Sequence, residues 1–264
     1  MLTEQLLPIA EWFDRYVAGF YGQDPYINAN LQYKECHCRR VRALMLDLAN
    51  QLALEPGGKV LAEAIGLLHD VGRFEQFVTY RTYKDSESVD HAALGAEVMQ
   101  RHGVLEPLDS SDRDLVDTAI RLHGARELPE GLGGQRSLFA RMIRDCDKLD
   151  IYRIATEAYR DYHKDPAHHD LGVRFPDEPS CTPEVVQAIF EGRSVAFDRL
   201  RTLNDLKLMQ IGWVYDVNFP ETLQRIRQQR YLDQLLSLLP DTAEVRRVRD
   251  AVFGYTGRRL SGHG

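Results

Sequence analysis

The sequence predicts an all-α fold. Helical periodicity of apolar residues runs through nearly all of its 264 residues, and stretches that alternate apolar with polar are scarce. Helix-start chemistry also recurs where periodic segments begin. In chain order, helices are expected at roughly residues 3–21, 31–54, 58–70, 89–102, 111–124, 137–162, 182–197, 198–214, 220–239 and 241–257. The second carries Leu44, Leu48 and Leu52 at four-residue spacing, a core-facing stripe. The third contains the apolar run from Ala62 to Leu68. Residues 72–88 read as irregular, with Phe77-Val78-Thr79-Tyr80 as the best short strand candidate, and a loop fits it as well. Ser110 or Ser111 can cap the helix at 111–124, and Asp112 and Asp114 suit its first turn. Thr182-Pro183-Glu184 opens the next helix, with Thr as N-cap and Pro in the first position. The stretch 163–181 is rich in Pro, Asp and His and reads as irregular.

With 44% hydrophobic residues, the chain can bury one large core or two small ones. No repeat, low-complexity tract or Gly/Ser linker divides it, so a single domain over 1–264 is expected, with helices at roughly 182–257 packed on the rest. The formal charge of −7 gives no basic footprint for duplex nucleic acid, although one cleft can still hold a phosphate. No apolar run approaches the roughly 18 residues that span a bilayer. Met1-Leu2-Thr3-Glu4-Gln5 lacks the basic-then-apolar layout of a signal peptide. Cys36, Cys38, Cys146 and Cys181 do not suggest a disulfide framework in a chain this long. A cytoplasmic location with no membrane partner is therefore expected.

The chemistry concentrates around His69-Asp70, where the third helix enters the core. His37, His91, His123 and Asp147 stand on both sides of this doublet, each on or at the end of its own predicted helix. Successive separations of roughly 32, 22, 32 and 24 residues match the return length of an antiparallel helical hairpin, so each pass can bring one ligand to a common centre. Imidazole and carboxylate together suit Fe, Mn, Ni, Co or Zn, with too few oxygens for a dedicated Ca site. A carboxylate beside a histidine can offer one oxygen to each of two metals. Asp70 is the natural bridge, and two divalent transition metals per chain are expected.

The ordered pattern resembles the HD superfamily of metal-dependent phosphohydrolases, whose signature is a distant His, a His-Asp doublet and a later Asp: here His37, His69-Asp70 and Asp147. The resemblance covers roughly residues 30–160. It implies an HD-type helical bundle, to which the C-terminal helices are added. Asp147-Lys148-Leu149-Asp150 is similar to the family's Asp-Lys/Arg-x-Asp stretch, whose first Asp binds metal. That favours Asp147 over Asp145 and Asp150 and implies a contact between Lys148 and a substrate phosphate. Asp90-His91-Ala92-Ala93-Leu94-Gly95 looks like the His-x-x-x-Gly helix of the dinuclear branch. That branch includes HD-GYP phosphodiesterases, some bacterial phosphohydrolases and the di-iron oxygenases related to myo-inositol oxygenase. The implied arrangement holds one metal on His37, His69, Asp70 and Asp147 and the second on Asp70, His91 and His123. The HD-GYP subgroup itself fits poorly, because Val71-Gly72-Arg73-Phe74-Glu75-Gln76 stands where its Gly-Tyr-Pro element belongs.

The resemblance implies hydrolysis of a small phosphoester, a nucleotide among the candidates; the expected catalytic residues are Asp70, Lys148 and Arg73. Two rival readings share the same ligands: a di-iron oxygenase, and a regulatory module in which metal only stabilises the fold. No P-loop, His-Glu-x-x-His or Gly-x-Ser-x-Gly motif offers another template. Cys36, Cys38 and Cys146 neighbour ligands and are expected to fill the core. Lys34, Arg39 and Arg40 read as a partly solvated face from which one side chain can reach a phosphate. Arg73 and Glu75 either brace the centre or hold a substrate group, or form an ordinary surface ion pair. His163, His168 and His169 read as a polar loop rather than a second metal site, and His102 and His263 as surface residues. The apolar helices after residue 198 can serve a homodimer.

Overall fold

The computed structural model describes residues 4–165, 171 and 175–262, and all regular structure among them is helical. They form two compact units, Met1–Asp147 and Lys148–Gly264. The first contains α1 (Leu6–Ala18), α2 (Pro25–Gln51), α3 (Pro56–Leu68), α4 (Gly72–Tyr80), α5 (His91–Arg101), α6 (Ser110–Leu122) and the first half of α7 (Gly134–Lys164). A single 3-10 turn, Asp85–Glu87, lies between α4 and α5.

Local chemistry explains the helix boundaries. Asp24 caps α2 by accepting from the backbone N–H groups of Tyr26 and Ile27, and Pro25 takes the first position. Asp90 caps α5 in the same way through Ala92 and Ala93. The cap of α6 is Asp109, which accepts from the N–H of Asp112, rather than Ser110 or Ser111. A carboxylate adds charge to the cap, and the helix N-terminus favours negative charge. The strand candidate at Phe77–Tyr80 is helical: α4 begins two residues after the doublet and buries Phe74 and Phe77 on one face.

The longest contact in the unit is α2 against α3, and α1, α4 and α6 pack around this pair. The buried face of α2 is Leu31, His37, Cys38, Val41, Met45, Leu48 and Ala49; Leu44 and Leu52 are only half-buried. Two glycines set the close approaches. A Cβ on Gly66 would lie 2.7 Å from the Arg42 Cα, so α3 meets α2 at backbone distance. A Cβ on Gly72 would lie 2.3 Å from the His91 carbonyl oxygen and 2.6 Å from the Gly95 nitrogen. The bare backbone at Gly72 thus lets α5 start directly against the turn that carries Asp70.

The second unit holds the rest of α7 with α8 (Pro183–Phe190), α9 (Leu203–Gly212), α10 (Pro220–Gln228), α11 (Tyr231–Ser237) and α12 (Ala243–Leu260). The helix expected at 220–239 is interrupted at Arg230, whose φ of 55° is left-handed. α9 is buried along its whole length. Thr182 stands at the N-cap position of α8, but its hydroxyl donates to Asp205, 2.6 Å away. The expectation for His168, His169 and His263 lies outside the described residues.

Candidate metal centre

Five elements of the first unit deliver the six predicted ligands. His37 sits mid-helix on the buried face of α2, Asp147 lies in α7, and His91 is the first residue of α5. His69 and His123 share a local device: each is the C-cap residue of its helix. A helix end leaves its last carbonyls without intrahelical partners. The His69 ring turns back so that Nδ1 meets the Gly66 carbonyl at 2.9 Å, and His123 Nδ1 meets the Ile120 carbonyl at 2.6 Å. A carbonyl only accepts, so both Nδ1 atoms carry hydrogen and both Nε2 atoms present a lone pair. His91 is fixed in the same tautomer by a carboxylate, with Nδ1 2.6 Å from Asp85 Oδ2.

Asp70 lies between two groups of nitrogens. Its Oδ2 is 3.6 Å from His37 Nε2 and 3.7 Å from His69 Nε2. Its Oδ1 is 3.4 Å from His91 Nε2 and 3.6 Å from His123 Nε2. Asp147 joins the first group, with Oδ1 3.1 Å from His37 Nε2 and 3.8 Å from His69 Nε2. The six side chains therefore form two sets that share one carboxylate.

The donor chemistry fits metal ions. In neutral His91 and His123 both Nε2 atoms are bare lone pairs, yet they stand 3.0 Å apart and face a carboxylate oxygen. Such convergence of electron pairs is repulsive until a cation or proton enters it. Ligands about 2.1 Å from a metal and about 90–110° apart place their donor atoms roughly 3.0–3.4 Å from one another. The His37–His69 and His91–His123 separations, 3.2 and 3.0 Å, lie in that range.

A family model of the HD domain matches residues 35–152, a span that contains all six candidate ligands. Residues 35–152 carry an HD domain. No curated protein and no solved structure matches it. HD domains bind divalent metals, and among the described residues the potential ligand groups are His37, His69 and Asp70; Asp70, His91 and His123; and, with both carboxylates exposed, Asp85, Asp90 and His91.

Charge in the HD domain is held ready for a cation. Burial would raise the Asp70 carboxyl, but the positive charges of Lys34 and Arg73 outweigh it and keep it well below the usual carboxylate range. Burial likewise opposes the Lys34 ammonium, and Asp70, 2.7 Å away, more than restores it. Burial depresses His69 to about 3 and lowers His91. An unfolded histidine titrates near 6.5. Folding thus excludes a proton from His69 between about pH 6.5 and 3. The stability contribution is complete above that window and is lost as pH falls through it, by up to about 1.4 kcal/mol per pH unit for one proton. Melting the metal-free protein from about pH 7.5 to pH 5 should show a falling Tm, and His69→Gln should flatten the dependence. An unchanged slope would remove His69 as its source.

The structure also places the other residues of interest. Arg73 lies inside, with Nε 3.5 Å from Asp70 Oδ1 and an Nη 2.7 Å from Asp85 Oδ1, whereas Glu75 pairs with Arg101. Lys148 does not join the ligand group; its ammonium is 2.7 Å from Asp216 Oδ2 within the second unit. The cation brought to Asp70 is instead Lys34, which stands three residues before His37 in α2. Cys38 and Cys146 are buried, but Cys36 is exposed and does not fill the core. Asp150 pairs with Arg153. Two residues to which the sequence assigned no role brace the candidate ligands. Asp85 holds His91, and the buried Arg144 donates to the carbonyls of His123, Ala125 and Arg126 at the end of α6. Arg144 neutralises the carbonyl end of the helix that carries His123. The signal for Arg144 was its place in α7 one turn before Asp147.

Proposed function

We propose that this HD domain hydrolyses a small phosphoester with the help of two divalent metals. The observation that carries the reading is Asp70, whose two oxygens face separate pairs of imidazole nitrogens. On this reading His37, His69, Asp70 and Asp147 hold one ion, and Asp70, His91 and His123 hold the other. Metals held there supply Lewis acidity and make water nucleophilic near neutral pH. The chain supplies the rest. Its buried ligands keep bulk water out, and the tethered imidazoles keep their tautomers. Lys34 and Arg73 set positive charge beside Asp70, where it can offset the negative charge of a phosphoester in the transition state. Lys34 also carries protons that can pass to a departing alkoxide. Lys148, whose ammonium is directed to Asp216 and not to Asp70, is assigned no step on phosphate.

Metal analysis and turnover test this reading together. Protein loaded anaerobically with Mn, Co or Ni should release alcohol and phosphate, or a phosphomonoester, from a panel of small mono- and diesters. Oxygen consumption by the iron-loaded protein, with no ester cleaved under any metal, would replace hydrolysis with the oxygenase reading. Full metal occupancy without either activity would leave a regulatory module.

A further inference from the structure

The tethers on the imidazoles are unequal. His69 and His123 are held by backbone carbonyls of their own helices, which no side-chain substitution removes. His91 depends on one side chain, Asp85, from the 3-10 turn outside any α-helix. Both Asp85 oxygens are in use. Oδ2 accepts from His91 Nδ1 at 2.6 Å, and Oδ1 accepts from Arg73 at 2.7 Å and from Gln76 Nε2 at 3.0 Å. Gln76 is fully buried and also donates to Ser88 Oγ and the Val89 carbonyl, so α4 clamps the segment that presents Asp85.

Charge is unequal too. On the two-metal reading the first ion meets two carboxylates, Asp70 and Asp147, and the second meets Asp70 alone with two neutral imidazoles. Asp85 is the carboxylate that adds negative charge to the second group, one bond removed, through His91. A carboxylate on the far nitrogen of an imidazole ligand fixes its orientation and raises its basicity. We propose that Asp85 is a positioning residue that sets metal occupancy of the Asp70, His91 and His123 group without governing the His37, His69 and Asp147 side. The proposal rests on the two-metal reading.

Titrating metal-free full-length protein with Mn²⁺, by calorimetry and by metal content after gel filtration, tests both and separates them. The wild type should bind two ions per chain, and the second should be the weaker. Asp85→Ala should weaken that second event about ten- to a hundredfold and leave the first unchanged. Asp85→Asn keeps an oxygen that accepts from His91 Nδ1, so it should recover part of the loss. It also keeps the shape of the turn should the alanine variant fold poorly. Two unchanged events in Asp85→Ala overturn the role of Asp85 and leave the two-metal reading standing. Equal weakening of both events, with no recovery in Asp85→Asn, makes Asp85 a general structural residue and overturns its selective role. One ion per chain in the wild type overturns the two-metal reading, and the proposal with it.

Discussion

Asp70→Ala is expected to empty both metal positions and to abolish turnover, a loss of at least about ten-thousandfold given the work assigned to metals in activating water. No other ligand in the centre has this reach, because only Asp70 faces all four imidazoles. His91→Ala, by comparison, should release only the ion of its own group. The variant also leaves the Lys34 ammonium and the Arg73 guanidinium without the carboxylate that compensates them in a buried site. Removing one partner of a buried ion pair destabilises by roughly 3–5 kcal/mol, so a lower Tm is expected as well. Asp70→Asn separates the effects. It preserves shape and hydrogen-bonding capacity but removes the charge that holds the cations. Elemental analysis of each purified variant beside a rate measurement decides the matter. An Asp70→Ala protein that retained both metals and full turnover would rule out the shared-carboxylate assignment.

What was legible in the sequence was convergence. Ligands one hairpin apart can meet only if the helices return, and apolar periodicity established that they do. The doublet therefore located the centre, and Asp147 followed from its similarity to a known stretch. The parts that stayed hidden depend on direction rather than spacing. Lys34 and Lys148 are each close in sequence to a ligand, and nothing in composition says which ammonium turns toward Asp70. The outcome depends on helix phase: Lys34 is three residues from His37 and shares its face, whereas Lys148 directly follows Asp147 and points about 100° away from it. Asp85 was hidden for another reason. Its segment has no periodicity, and its place is set by Gln76 and Arg73, which reach it from α4. That helix was itself obscured by the β-branched residues Val78 and Thr79, whose preference for strands was overridden by burial of Phe74 and Phe77.

Lys34→Met is expected to lower kcat about a hundredfold while metal binding holds or tightens. The two effects have opposite signs because the ammonium stands where two roles compete. It is 2.7 Å from Asp70 Oδ2, the oxygen that faces His37 and His69, and so repels a cation entering that group. Replacing it with an uncharged chain of similar length removes the repulsion, and the first ion should bind more tightly. The same change removes the charge that faces a phosphate and the proton available to a leaving group. Loss of one preorganised donor to a developing oxyanion slows reactions by about a hundred- to a thousandfold. The Tyr83 ring, 5.3 Å from the ammonium, keeps it over an aromatic face rather than in free solvent, so a mobile surface lysine cannot substitute for it. A merely structural lysine would behave differently: its loss would weaken metal binding and turnover together through the unfolding of α2. Lys34→Arg should restore much of kcat, since a guanidinium retains charge and donors, but not the tight fit against Asp70. Parallel loss of metal and rate in Lys34→Met, without rescue by arginine, would take Lys34 out of the chemistry.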